Sequence, residues 1–418
     1  MENEEFLTSL ISKLDSVGVE NEIHPEGIHP LTLRTRERKE LSELEVEFQK
    51  RLEAIKYDPR VPELILRLAN VHLKESNFGR AIILYEIALG LNSDMITGWI
   101  HMGLAYLLVD ETKDAISCFG SALAIDSENA DALTYLARAE LKLGNYESCL
   151  KNIEEALRIH PNYERALLVK GLYFEKQGNS RGAISWIESA LSVNPKFVPA
   201  LMELGRINMD LSKHELAIYA LEEVLRLDEN QPYAHQLLGD IYYKASQYSY
   251  ALQHYEHAVA LRGEDANLWI KKGDTHRIMK SYKEASDSYH KAINADPENV
   301  KAWVKCGEVM LLLSEQDTAL EYFNTALALA PKDASVAHKR GRLFFSLERY
   351  EDALDDFDAA FSTDPGNPEH LYYRALILEK LDRRAEAKRT WMVASDLYNE
   401  ADNTIKAAEC NARAKRLS

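Results

Sequence analysis

Residues 303–310 read Trp303-Val304-Lys305-Cys306-Gly307-Glu308-Val309-Met310, residues 319–326 read Ala319-Leu320-Glu321-Tyr322-Phe323-Asn324-Thr325-Ala326, and Pro331 follows. Trp303, Gly307 and Met310 are spaced four and three apart, which puts them on one stripe of an amphipathic helix. Ala319, Phe323 and Ala326 repeat that spacing on a second helix. Pro331 ends it, because the residue before a proline is pushed out of the helical region.

Stepping outward from Gly307 by 34 residues meets Gly341 and Ala375 in one direction. In the other it meets Gly273, Gly239, Gly205, Gly171, Ala137, Gly103 and Ala69. Seven of the chain's 18 glycines fall in this register, so they are packing positions rather than scattered turns. Twelve residues further on, alanine holds every place from Ala81 to Ala387 except Cys149. Between these and a third small series stands a bulky one: Tyr85, Phe119, Ile153, Ile187, Leu221, Tyr255, Tyr289, Phe323, Phe357 and Trp391. A fixed period of this length means a repeat array. The units are 62–95, 96–129, 130–163, 164–197, 198–231, 232–265, 266–299, 300–333, 334–367 and 368–401, called repeats 1 to 10 below.

Each unit therefore reads as two helices joined by a short polar turn such as Gly144-Asn145 or Gly178-Asn179. Gly or Ala on the first helix and Ala on the second let the two cross closely, and the bulky residue between them reaches the next unit. One such hairpin cannot bury its apolar face alone, so stacking supplies the core.

This pattern resembles the tetratricopeptide repeat, over 340 of 418 residues and without insertion or deletion. The resemblance implies an all-α fold, a right-handed α-α superhelix with capping helices at both ends. First helices would line a concave channel, and the channel would bind extended or helical segments of other proteins. Repeats 5 and 6 depart from the pattern. Asn208, Val224 and Glu229 stand where Tyr, Ala and Pro are typical, and His235 and Gly263 replace Trp and Pro.

The ends are organised differently. Within 1–61, residues 3–14 form an amphipathic helix carrying Phe6, Leu7, Leu10, Ile11 and Leu14, a loop surrounds His24 and His29, and residues 36–57 form a degenerate capping helix. Three destinations are open to helix 3–14: back onto the repeats, onto a second chain, or into a channel. Residues 402–418 form a last capping helix, with Lys406, Arg413, Lys415 and Arg416 weighted toward the favourable end of its dipole.

Composition narrows the function. The chain has 50 Lys and Arg against 67 Asp and Glu, a formal charge of −17, which opposes general binding to nucleic acid or to anionic membranes. No apolar run is long enough to span a bilayer, and the opening Met-Glu-Asn-Glu-Glu lacks the basic start and apolar stretch of a signal peptide. Cys118, Cys149, Cys306 and Cys410 are far apart and form no Cys-x-x-Cys pair, which suits a reducing cytoplasm. No phosphate loop, nucleophile elbow, zinc-protease motif or calcium loop occurs, so a non-enzymatic chain without cofactor is expected. Among the histidines, His254 and His257 stand three apart on one outer helix and His290 lies one unit on, near the same face, which raises the question of a metal.

Carried over by register, the resemblance assigns the channel face to two groups of residues. Leu66, Ile100, Leu104, Leu107, Leu108, Leu168, Leu172, Met202 and Met209 would form an apolar groove, broken by Asn70, Tyr135, Arg138 and Arg206. Lys271, Lys305 and Lys339 form a lysine ladder, flanked by Lys301 and Arg342 and by Tyr233, Tyr243, Phe345, Tyr372 and Tyr373. That wall suits a partner with acidic and aromatic residues, unless Lys271 pairs with Asp274 and Lys305 with Glu308 along the same helix. The family's chaperone-carboxylate clamp is not matched, since Leu66/Asn70, Leu104 and Thr134/Arg138 stand at its places. An interaction scaffold is the leading expectation, with self-assembly through the N-terminal helix and an enzyme's regulatory subunit as alternatives.

Overall fold

The computed structural model describes residues 2–16 and 35–417, so the loop around His24 and His29 lies outside the described residues. Among the described residues there are 23 helices and no strand, an all-α solenoid of helix hairpins. The chain divides into two compact units, Met1–Leu227 and Asp228–Ser418.

The hairpin of repeat 8 pairs helix Val300–Leu312 with helix Gln316–Leu329. Its crossing explains the glycine register. A Cβ placed on Gly307 would stand 2.6 Å from a ring carbon of Phe323, far inside van der Waals contact. Gly103 meets Phe119 in the same way, and Gly273 meets Tyr289. Ala319, Phe323 and Ala326 are fully buried at the crossing.

The turn inside each hairpin is also periodic. Ser76, Asp110, Gly144, Gly178, Ser212, Ser246, Lys280, Ser314, Glu348 and Asp382 all have positive φ, 34 residues apart, and only two are glycine. Hydrogen bonds hold this left-handed residue in place. In repeat 8 the Glu315 N–H donates to the Met310 carbonyl at 2.8 Å and the Ser314 N–H to Leu311 at 3.1 Å. This is the Schellman arrangement that closes a helix C-terminus.

In the first unit, helix Glu2–Ser16 takes the first of its three possible destinations and folds back on the repeats. Leu7, Leu10 and Leu14 are buried in one cluster with Leu64, Ile65 and Leu66 of repeat 1. Arg60 grips the Glu4 carboxylate with two nitrogens at 2.9 and 2.7 Å, and Arg67 holds Asp15 at 2.6 Å. Helix Thr35–Ile55 is pinned through Glu45, which accepts from His72 at 2.8 Å and Arg80 at 2.7 Å. Burial alone would raise the Glu45 carboxyl, but those two partners outweigh it and hold it below its ordinary range.

In the second unit, helix Thr404–Arg416 closes the last hairpin. Ala407, Cys410 and Ala414 pack on Leu371, Trp391 and Tyr398. Ser395 Oγ donates to the Ala407 carbonyl at 3.0 Å, and Lys406 binds Glu369 at 2.8 Å.

Gly307→Val tests the crossing. Overfilling it is expected to cost about 1–3 kcal/mol, read as a lower urea midpoint.

Candidate functional site

The first unit contains a cleft of about 540 Å³, within the size range of ligand-accepting pockets. Its walls come from the C-terminal halves of consecutive first helices. Leu104, Leu107 and Leu108 stand on helix Ile96–Leu108, Arg138, Leu141 and Lys142 on Ala130–Leu143, and Leu172, Glu175 and Lys176 on Glu164–Lys176. Glu203 and Arg206, on Val198–Asp210, close one end. Residues four apart on a helix share a face, and the 34-residue register aligns that face from one repeat to the next.

Arg206 is held by Glu175 at 2.6 Å, Glu203 at 2.8 Å and Asp210 at 3.1 Å, so it braces the cleft end. Lys142 reaches Asp110 at 2.6 Å, while Lys176 is exposed and makes no ion pair among the described residues. The lining thus combines an apolar floor with four basic and two acidic side chains.

Six of the thirteen residues proposed from sequence for the groove meet here: Leu104, Leu107, Leu108, Arg138, Leu172 and Arg206. Leu66, Ile100 and Leu168 are instead buried in the core, Leu66 against Gly98 of the next repeat, and Met202 and Met209 are half-buried away from the cleft. Asn70 and Tyr135 are core residues too. Asn70 accepts from Tyr85 Oη at 2.7 Å and lies 3.1 Å from His101 Nδ1, and Tyr135 stacks on Phe119. Lys142 and Lys176 were missed, although each lies one turn beyond a residue already chosen, Arg138 and Leu172.

In the second unit the lysine ladder is real but neutralised. Lys271 Nζ is 2.5 Å from Asp240, Lys305 is 2.9 Å from Asp274, and Lys339 is 2.8 Å from Glu308. The pairs run between repeats, not along one helix as the sequence suggested, because the acid lies 31 residues before its lysine. Two acids have a second task. Asp240 accepts from Tyr255 Oη at 2.6 Å and Asp274 from Tyr289 Oη at 2.8 Å. Burial and the adjoining carboxylate push both phenols well above their ordinary range.

At the next step Arg342 occupies the acid's place and Tyr373 the lysine's, and the guanidinium lies 5.5 Å from the ring centroid. Tyr373 stacks on Phe357, Phe345 edges it at 6.3 Å, and Tyr243 packs on Tyr248. Tyr372 belongs to the C-terminal cap, donating to Glu409 at 2.9 Å. Tyr233 is exposed, and Lys301 is exposed and makes no ion pair among the described residues.

The histidines group differently from the sequence expectation. His290 bonds to Tyr322 and Ser286, while His235 joins His254 and His257. His235 Nε2 donates to the Glu229 carbonyl at 3.2 Å, which leaves its Nδ1 to accept from His254 Nδ1 at 3.1 Å. His338 and His370 face each other likewise at 3.0 Å. Among the described residues no group of three or more His, Cys, Asp and Glu side chains is placed to hold a metal ion. The four cysteines are buried and unpaired, and burial pushes Cys118, Cys149 and Cys306 up to about 12, where thiolate chemistry is suppressed.

Sequence models of the tetratricopeptide repeat match residues 106–172, and also 168–232, 279–334 and 338–392. The chain belongs to the tetratricopeptide repeat family, whose role is that of a protein-interaction scaffold. Similar solved structures include one described as the functional characterization of Pseudomonas aeruginosa pilF. It is 22% identical, covers 52% of this chain and 96% of that one, and has a TM-score of 0.43. Another is a crystal structure of MamA, 20% identical over 38% of this chain and 94% of that one, with a TM-score of 0.31. No helix of the described residues is long and apolar enough to cross a membrane.

Two outcomes follow from the pairing. Lys305→Glu sets a carboxylate against Asp274 and is expected to cost about 1–3 kcal/mol of stability, whereas the exposed Lys301→Glu leaves the thermal midpoint unchanged.

Burial, with the neighbouring histidine, lowers His254 and His338 to about 4. Unfolded histidine takes its proton near pH 6.5, so acid favours the unfolded chain. Stability is therefore expected to be full above pH 6.5 and to fall as pH drops toward 4, a slope that His338→Phe reduces in denaturant titrations.

Proposed function

We propose that this chain is a non-catalytic scaffold that holds a segment of a partner protein in the cleft of its first unit. The observation that carries this reading is the cleft's makeup: a leucine floor bordered by Arg138, Lys142 and Lys176. Exposed apolar surface of this kind, rimmed by polar groups, marks interaction sites. The buried, unpaired thiols suit a reducing compartment such as the cytoplasm.

Leu108 is the side chain to test, because it is 44% exposed and its replacement leaves the core intact. Leu104, only 1% exposed, is unsuitable, since a buried carboxylate there disrupts folding. Affinity capture from native extract with Leu108→Asp is expected to lose at least one partner that the unchanged chain retains. An identical set of captured proteins from both chains rejects the cleft as the binding site.

A further inference from the structure

Repeat 10 departs from the nine before it on the surface of its second helix. That helix, Arg384–Glu400, has 17 residues, whereas the second helices of repeats 1 to 9 each have 14. It carries Met392 and Val393 at 51% and 47% exposure. At those two places every earlier repeat has at least one polar residue, as in Glu154-Glu155 and Glu222-Glu223. Two adjacent large apolar side chains there are therefore particular to repeat 10 and not part of the repeat's own packing.

The residues around them form a stripe. Ala385, Arg389, Met392, Val393, Asp396 and Glu400 are all exposed, and their spacings of four, three, one, three and four place them on one side of the helix. The spacing reads the same from either end, while the charge inverts about the middle: Arg389 on one side of the apolar pair, Asp396 and Glu400 on the other. The Arg389 Nε–H donates to the Ala385 carbonyl at 3.3 Å, and neither Arg389, Asp396 nor Glu400 makes an ion pair among the described residues. A stripe with this symmetry is complementary to a second copy of itself run antiparallel about a two-fold axis, the geometry of an isologous contact.

We infer that the outer face of helix Arg384–Glu400 is a self-association surface, on which two copies of this chain pair antiparallel. Met392 of one copy meets Val393 of the other, Arg389 lies between Asp396 and Glu400 of the other, and Ala385 leaves room at each end. A shallow crossing angle keeps both charged ends in reach. Each chain carries a net charge of −17, so two copies repel at long range. At about 0.15 M salt that repulsion is screened beyond roughly 8 Å, and the local charge match decides the encounter. One helix pair is a small contact, near or below the roughly 1,200 Å² where stable interfaces begin, so a dissociation constant on the order of ten micromolar is expected. The inference is independent of the cleft, which lies in the first unit.

Sedimentation equilibrium of the full chain, from low micromolar to about a hundred micromolar at about 0.15 M salt, tests it. A monomer–dimer equilibrium is expected. Val393→Asp, at a half-exposed position, keeps the thermal midpoint and weakens the dimer roughly tenfold or more. R389D and D396R each set like charges across the axis twice and weaken it by a similar factor, while the double variant R389D/D396R restores it to within about threefold of the unchanged chain. A chain that stays monomeric at every concentration overturns the inference and leaves the stripe to a different protein. A dimer indifferent to Val393→Asp forms elsewhere and overturns it as well. A double variant no tighter than either single one overturns the antiparallel register.

Discussion

Everything in this array depends on how closely the two helices of a hairpin cross. A ring or branched side chain on the second helix lies directly against the backbone of the first, and glycine or alanine there is the consequence. The contact is dispersion at its densest, with no room for one added carbon at Gly307. Because the same crossing recurs, each hairpin presents the same apolar ridge to its neighbour, and the stack follows. The left-handed turn residue serves this crossing by reversing the chain in the fewest residues. Eight of its ten places carry a side chain all the same, so the closing hydrogen bonds outweigh the local strain.

A second regularity is laid over the first. Tyr85, Asn70 and His101 in the first unit have the same spacing as Tyr255, Asp240 and Lys271, and as Tyr289, Asp274 and Lys305, in the second. In each, a phenol from the second helix donates to an oxygen on the first helix, and a basic group on the following first helix meets that oxygen. Buried polar groups need partners, and this triad supplies them across the seam between repeats. Where it is absent, at Leu104, Phe119 and Tyr135, stacked rings replace it. The cleft opens beside that apolar version, which is why its floor is leucine.

The hairpins were legible in the sequence because spacing alone determines which residues share a helix face. The ladder's lysines were legible for the same reason. Their partners were not, since a rule for neighbours on one helix points Lys271 to Asp274, while stacking brings Asp240 closer. The recurrence of Asp240, Asp274 and Glu308 in their own 34-residue register was the available signal. The groove was partly legible. Register finds the inward face, but it does not say that Leu66 packs against Gly98 of the next repeat or that Leu168 sinks into the core. Lys142 and Lys176 escaped because attention to apolar residues passes over the charged turn that borders them.

The direction of the ladder has a consequence for how such a chain can change length. Repeats 7 and 8 each offer an acid forward and a lysine backward, so each carries one half of two bonds. Removing residues 266–299 as a block would bring Asp240 into the register of Lys305, and duplicating the block would insert one more matched pair. Cutting inside a repeat would instead strand a charge at the seam. Between repeats 6 and 9 the units are thus interchangeable in charge as well as in shape, and that stretch can gain or lose whole links while each of its acid–lysine joints stays paired.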